Sequence, residues 1–155
     1  MTLETTQRRG ALALALSLFT FHFSPPLLSA QGKPQTYKGL EMTVTGVERA
    51  MNVALIDCPP GTNTVRGNAK AGEEFAVVSV AFRVTPAFKE TIVKKPVLMD
   101  AMGKAFNTSV AIIDPGSVPS YTCSFPFRVP EGTKLGSLQI ETATLDLAAF
   151  GTKKP

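Results

Sequence analysis

The apolar positions of the chain fall into short runs, many with a period of two, set apart by clusters of proline, glycine and polar residues. Leu40, Met42 and Val44 alternate with Glu41, Thr43 and Thr45, as in a strand that buries one face. The segment ERAMNVALIDC, residues 48–58, has no single period, and its later residues predict a second short strand. Residues 59–72, PPGTNTVRGNAKAG, are turn-forming throughout and predict a surface loop. In EEFAVVSVAFRV, residues 73–84, apolar side chains leave little room for a polar face, which predicts a central strand.

A connection, AFKETIVKKP, leads from that strand to VLMDAMGKAFNTSV, which reads as a hairpin. Gly103 lies where a tight turn needs positive φ, and the Asp100 side chain can close the turn on nearby backbone amides. A lone carboxylate at such a place is structural more often than a metal ligand. Asn107-Thr108-Ser109 matches the N-glycosylation pattern, and it is given no functional weight. In SYTCSFPFRV, residues 120–129, Tyr121, Cys123, Phe125, Phe127 and Val129 share one face, while Thr122, Ser124, Pro126 and Arg128 share the other. Pro126 offers no ladder hydrogen bond and so predicts an edge position or a bulge. PEGTK then turns the chain into LGSLQIETATLDL, where Leu138 and Ile140 alternate with Ser137, Gln139 and Glu141. Short strands, each with an apolar face, separated by proline- and glycine-rich turns predict an all-β antiparallel sandwich.

The amino terminus changes the picture. Arg8 and Arg9 precede an apolar stretch, Ala11 to Phe23, too short for an ordinary membrane span, and SPPLLSA then ends at Ala30. This order reads as a cleavable signal peptide over residues 1–30. A short linker, 31–36, the sandwich domain, 37–150, and a tail, 151–155, follow. The expected localisation is periplasmic or extracellular, with no membrane span after cleavage.

Removing residues 1–30 from the 155 leaves 125, enough for one core. Of the 16 basic and 12 acidic residues the cut takes Arg8, Arg9 and Glu4, so 14 and 11 remain and the net charge is +3. Lys89, Lys94 and Lys95 form the densest basic group, too sparse for a nucleic-acid face. The cut also takes His22, the sole histidine, and with it imidazole base chemistry and histidine metal ligation. Ser117, Ser120 and Ser124 have no spacing to a lysine that suggests a catalytic pair. No enzyme activity and no cofactor are expected.

Cys58 and Cys123 are the two cysteines, and export would deliver both to an oxidising compartment, so a disulfide is expected. Its contribution in the chain-entropy model is on the order of 4 kcal/mol. Two readings compete with it. A nucleophilic Cys123 would need a base or cationic neighbour, and Arg128 lies on the opposite face. A periplasmic small-ligand or copper carrier would combine the cysteine sulfurs with Met42, Met51, Met99 and Met102.

The segments GLEMTVTGVE, GEEFAVVSVAFRV, LMDAMGKAF (with Leu98, Asp100, Gly103 and Phe106) and FRVPEG, in that order, resemble the telokin-like, immunoglobulin-like domain family of secreted and lipid-anchored bacterial proteins. The resemblance spans Leu40 to Ile140. Thr85 stands where the family often has asparagine, and no lipid-attachment cysteine follows Ala30. The resemblance implies an immunoglobulin-like sandwich and a binding or assembly module with no transferable catalytic residues. The partner expected is a protein or a cell-envelope component. Candidate contacts are Arg66 and Lys70 in residues 59–72, Lys89, Lys94 and Lys95 in residues 88–95, and an exposed edge strand.

Overall fold

Strand formation follows the two-residue period closely enough that twelve strands and no helix occur among the described residues. The computed structural model describes residues 31–150 apart from 62 and 63. The signal peptide expected over residues 1–30 and the tail at 151–155 lie outside the described residues. The strands are β1 (Gln35–Tyr37), β2 (Leu40–Ala50), β3 (Asn52–Leu55), β4 (Val65–Asn68), β5 (Glu73–Val84) and β6 (Ile92–Val93). They continue with β7 (Val97–Asp100), β8 (Ala105–Asn107), β9 (Ile112–Ile113), β10 (Ser120–Pro130), β11 (Leu135–Ile140) and β12 (Ala143–Asp146). β1 takes its first two residues from the segment read as a linker.

Two four-stranded antiparallel sheets face each other, ordered β1-β2-β5-β10 and β12-β11-β7-β8. Leu40, Met42, Val44, Val78, Val80, Phe82, Phe125 and Phe127 point from the first sheet into the core, where Leu98, Leu138, Ile140 and Leu145 of the second meet them. β5 is bonded on both sides, as its composition predicted, and β10 lies at a sheet edge, where Pro126 is tolerated. The register of β2 against β5 shifts between Val44 and Gly46. This bulge moves the buried phase from even to odd positions, so Val47 pairs with inward Val78 and Arg49 with inward Ala76. Residues 48–58 show no single period because they span the end of β2, a bend at Met51, β3 and the connection after it.

Both flanks of the sandwich are covered. β1 runs beside β12, and a bridge from Thr108 to Phe127 ties the end of β8 to β10. At the β1–β2 turn Lys38 and Gly39 have φ of 47° and 90°, the handedness of a tight hairpin. A Cβ on Gly39 would lie 2.7 Å from Thr85 Oγ1 and 2.8 Å from the Phe88 backbone nitrogen. Gly39→Ala is therefore expected to lower the unfolding free energy by about 2 kcal/mol, with an unchanged denaturant slope in urea titration.

Two expectations need correction. Residues 59–72 are not loop throughout, because Val65–Asn68 forms β4 and pairs with β3. The ribbon so formed lies against the outer side of the first sheet. There the Phe75 ring approaches Gly67 so closely that a Cβ would sit 3.2 Å from Cζ. Cover from the ribbon explains why Phe75, which faces outward by register, is buried. Residues 88–95 are likewise not a free connection: Phe88 and Val93 are buried, and β6 pairs with β9. The segment LGSLQIETATLDL forms two strands, β11 and β12, folded back at Glu141, whose φ is 52°. Its turn carries no glycine, proline or asparagine to mark it.

Candidate functional site

Cys123 faces inward from β10, and Cys58 reaches it from the connection between β3 and β4, forming the expected disulfide with a Cα–Cα distance of 5.6 Å. Both residues are buried. The Cys58 amide donates to the Ala111 carbonyl at 3.0 Å, and the Ile113 amide donates to the Cys58 carbonyl at 2.7 Å. The bridge thus fixes the loop end of the β3–β4 ribbon and the residues leading into β10 to one point. No free thiol is left on either cysteine.

The sulfur set of the carrier reading is not assembled. Its cysteines are bonded to each other, Met42 is core, and Met51 and Met102 stand exposed beside different turns. Among the described residues no three His, Cys, Asp or Glu side chains converge in a metal-binding group. Asp100 closes its turn as its position predicted, its Oδ1 accepting from the Met102 amide at 2.9 Å and the Lys104 amide at 2.8 Å. Thr108 of the glycosylation pattern is buried, and its hydroxyl accepts from the Val110 amide at 3.2 Å.

The basic candidates fall into two groups that the fold keeps apart. Lys94 donates its amide to Glu141 Oε1 at 2.7 Å, and Lys38 pairs with Glu90 at 2.6 Å, placing residues 88–95 by the β11–β12 turn. Lys95 Nζ donates to the Ser109 carbonyl at 3.1 Å, and Lys89 is exposed. Arg66 and Lys70 belong to the other end, where the Asn68 carbonyl accepts from Arg128 and the Glu131 amide donates to the Gly72 carbonyl. The full length of β11 separates the ends, since it leaves the Glu131–Lys134 turn and arrives at Glu141. One compact site cannot use both groups. Beside the first group, Ile92 and Ile113 pair across β6 and β9 with their side chains exposed.

Shifted titrations trace to local partners. The Arg83 guanidinium holds Glu41 below the usual carboxylate range, Glu41 raises Arg83 in return, and Glu90 raises Lys38. Burial pushes Tyr121 up to about 12. Its ring stacks on Phe82 with centroids 5.1 Å apart, and its hydroxyl donates to the Pro115 carbonyl at 3.1 Å. A tyrosine two residues before a disulfide cysteine, bonded back to an upstream carbonyl, is the arrangement of a tyrosine corner. The Tyr-x-Cys spacing was present in the sequence and was not singled out there.

Two results are expected at this residue. Tyr121→Phe leaves the Pro115 carbonyl without its partner and should cost about 1 kcal/mol in urea unfolding. A folded-state pKa near 12, above the unfolded value of about 10, means the neutral phenol is favoured on folding, so this stabilisation is full below pH ~10 and is lost as pH rises towards 12. Tyr121→Phe should flatten that alkaline decline when thermal midpoints are compared across the interval.

Sequence reading also missed Arg49 and Glu74. Both point inward, and their side chains are 10% and 15% exposed, with Arg49 Nη1 2.8 Å from Glu74 Oε1. Arg49 Nη2 donates to the Thr133 carbonyl at 2.6 Å, and Glu74 Oε1 accepts the Gly132 amide at 3.0 Å. The pair fastens the β10–β11 turn under one end of the core.

No family model and no curated protein match the chain. Among solved structures it is similar to an uncharacterized beta-sandwich protein from Clostridium difficile 630, at 10% identity, over 75% of this chain and 89% of that chain, with a TM-score of 0.46.

Proposed function

We propose that this protein is an exported, non-catalytic binding module of immunoglobulin-like, telokin-like type that works in the periplasm or outside the cell and contacts a protein or cell-envelope partner. The observation that carries the reading is the buried Cys58–Cys123 disulfide, which withdraws both thiols from chemistry and suits an oxidising compartment. The tyrosine corner at Tyr121 supports the immunoglobulin-like part. Each resolved pKa shift has a structural cause, a surface ion pair or the burial of a bonded phenol, and none comes from groups gathered in a cleft. No helix among the described residues is long and apolar enough to cross a membrane.

The contact regions assigned are the lysine group at residues 89–95 and the ribbon residues Arg66 and Lys70. The test begins with the intact mass of protein recovered from the exported fraction, before and after reduction under thiol block. A chain beginning at Gln31 with two thiols revealed on reduction is expected; retention of residues 1–30 or two free thiols would overturn the reading. Partner capture is then compared for Lys89→Glu/Lys94→Glu/Lys95→Glu and for Arg66→Glu/Lys70→Glu. Deleting residues 59–72 is unsuitable, because it would uncover Phe75 and remove the strand that pairs with β3. One charge-reversal set should lose capture by about tenfold or more while the other retains it.

A further inference from the structure

The ribbon of β3 and β4 has two edges, and they differ. The Ala69 amide donates to the Met51 carbonyl at 2.8 Å, which sets the antiparallel alternation along the pair. Val53 with Gly67 and Leu55 with Val65 exchange ladder bonds, while Asn52, Ala54, Arg66 and Asn68 turn their backbone groups outward. The Asn68 carbonyl obeys this and accepts from Arg128 Nη2 at 2.9 Å, which fastens the β4 edge to β10. On the β3 edge, the outward amides and carbonyls of Asn52 and Ala54 have no backbone partner among the described residues, and both residues are exposed.

The edges of the two sheets are flanked by each other. β1 runs beside β12, Thr108 bridges to Phe127, and the Lys94 amide next to β6 is taken by Glu141. Since the β4 edge is held at Arg128, the β3 edge faces the opposite way, over the outer surface of the first sheet. The register places Ala81 beside Thr122 and Ser79 beside Ser124 there, with the two serine hydroxyls 3.2 Å apart. No side chain in that stretch is longer than threonine, so an extended backbone has room to lie on it.

Charge selects the occupant. Arg66 sits opposite Ala54 on the exposed side of the ribbon and has no acidic partner among the described residues. The small Ala54 side chain lets the guanidinium reach across β3 towards whatever pairs with it. We propose that an extended acidic peptide of a partner protein adds to β3 as a third ribbon strand, bonding the backbone of Asn52 and Ala54 and setting a carboxylate against Arg66. This rests on the binding-module reading and gives it a strand contact in place of a loop contact.

The experiment uses the disulfide-bonded protein and a phage-displayed library of linear peptides, from which the tightest binder is synthesised. Amide exchange of the free protein is expected to be fast at Asn52 and Ala54 and slow at Val53 and Leu55; slow exchange at Ala54 without peptide overturns the proposal. Bound peptide should carry Asp or Glu and slow Ala54 exchange. Ala54→Pro removes an amide that the ladder does not use and should weaken binding by about a hundredfold with circular dichroism unchanged. If that variant misfolds, Arg66→Glu stands in, with a loss of about tenfold or more. Peptides that bind but tolerate both variants overturn the strand site and leave the binding module standing, and a library that yields no binder overturns the strand site too.

Discussion

Replacing Cys58 and Cys123 together by alanine is expected to lower the unfolding free energy by about 4 kcal/mol and the thermal midpoint by roughly 15 °C. The size comes from the sequence separation of 65 between the cysteines. Without the bridge, the unfolded chain regains the freedom of a long open loop, while the folded state loses little packing because two small buried side chains are replaced by another. The locality of the effect is also predictable. Cys58 keeps its backbone bonds to Ala111 and Ile113, so the variant should fold to the same sandwich, with faster amide exchange in the β3–β4 ribbon than elsewhere. Urea titration of the oxidised protein beside the double variant measures the difference. A loss below about 1 kcal/mol would mean that the ribbon is held mainly by its cover of Phe75 and that the bridge adds little.

Arg49→Met is expected to cost about 3 kcal/mol, a value at the low end for a broken buried pair because both side chains keep some contact with solvent. The variant strands the Glu74 carboxylate at the inner end of β5 with only the Gly132 amide to stabilise it, and it leaves the Thr133 carbonyl without its donor. Adding Glu74→Leu to Arg49→Met removes the stranded charge. The double variant is therefore expected to be more stable than Arg49→Met alone by about 1 kcal/mol, despite changing one residue more. A double-mutant cycle in urea gives the coupling directly. Additive losses from the two single variants would mean that the pair is solvated and only its backbone contacts matter.

The sequence by itself determined the class of fold and the staple. Alternation in residues 40–44 and 121–129 assigned buried faces that the structure keeps, since a two-residue period can satisfy one dry and one wet side only as a strand. Glycine and aspartate chemistry placed the turn at Asp100–Lys104, because positive φ and a short carboxylate leave few other uses for those residues. Two cysteines have one intramolecular pairing available, and the 5.6 Å Cα–Cα distance accommodates it.

Tertiary structure decided the rest. VRGN became a strand because β3 lay beside it and the Phe75 ring needed cover, and neither neighbour is visible in the four residues themselves. The bulge at Gly46 turned Arg49 inward, where Glu74 and the Thr133 carbonyl met it, so a residue that reads as solvated became part of the buried end. Arg66 and Lys70 were separated from the Lys89–Lys95 group by the length of β11, a distance that the order of residues along the chain does not contain. Local periodicity records how each segment divides between water and core. Which segments cover one another depends on pairings between residues far apart in the chain, and those exist only once the two sheets have closed.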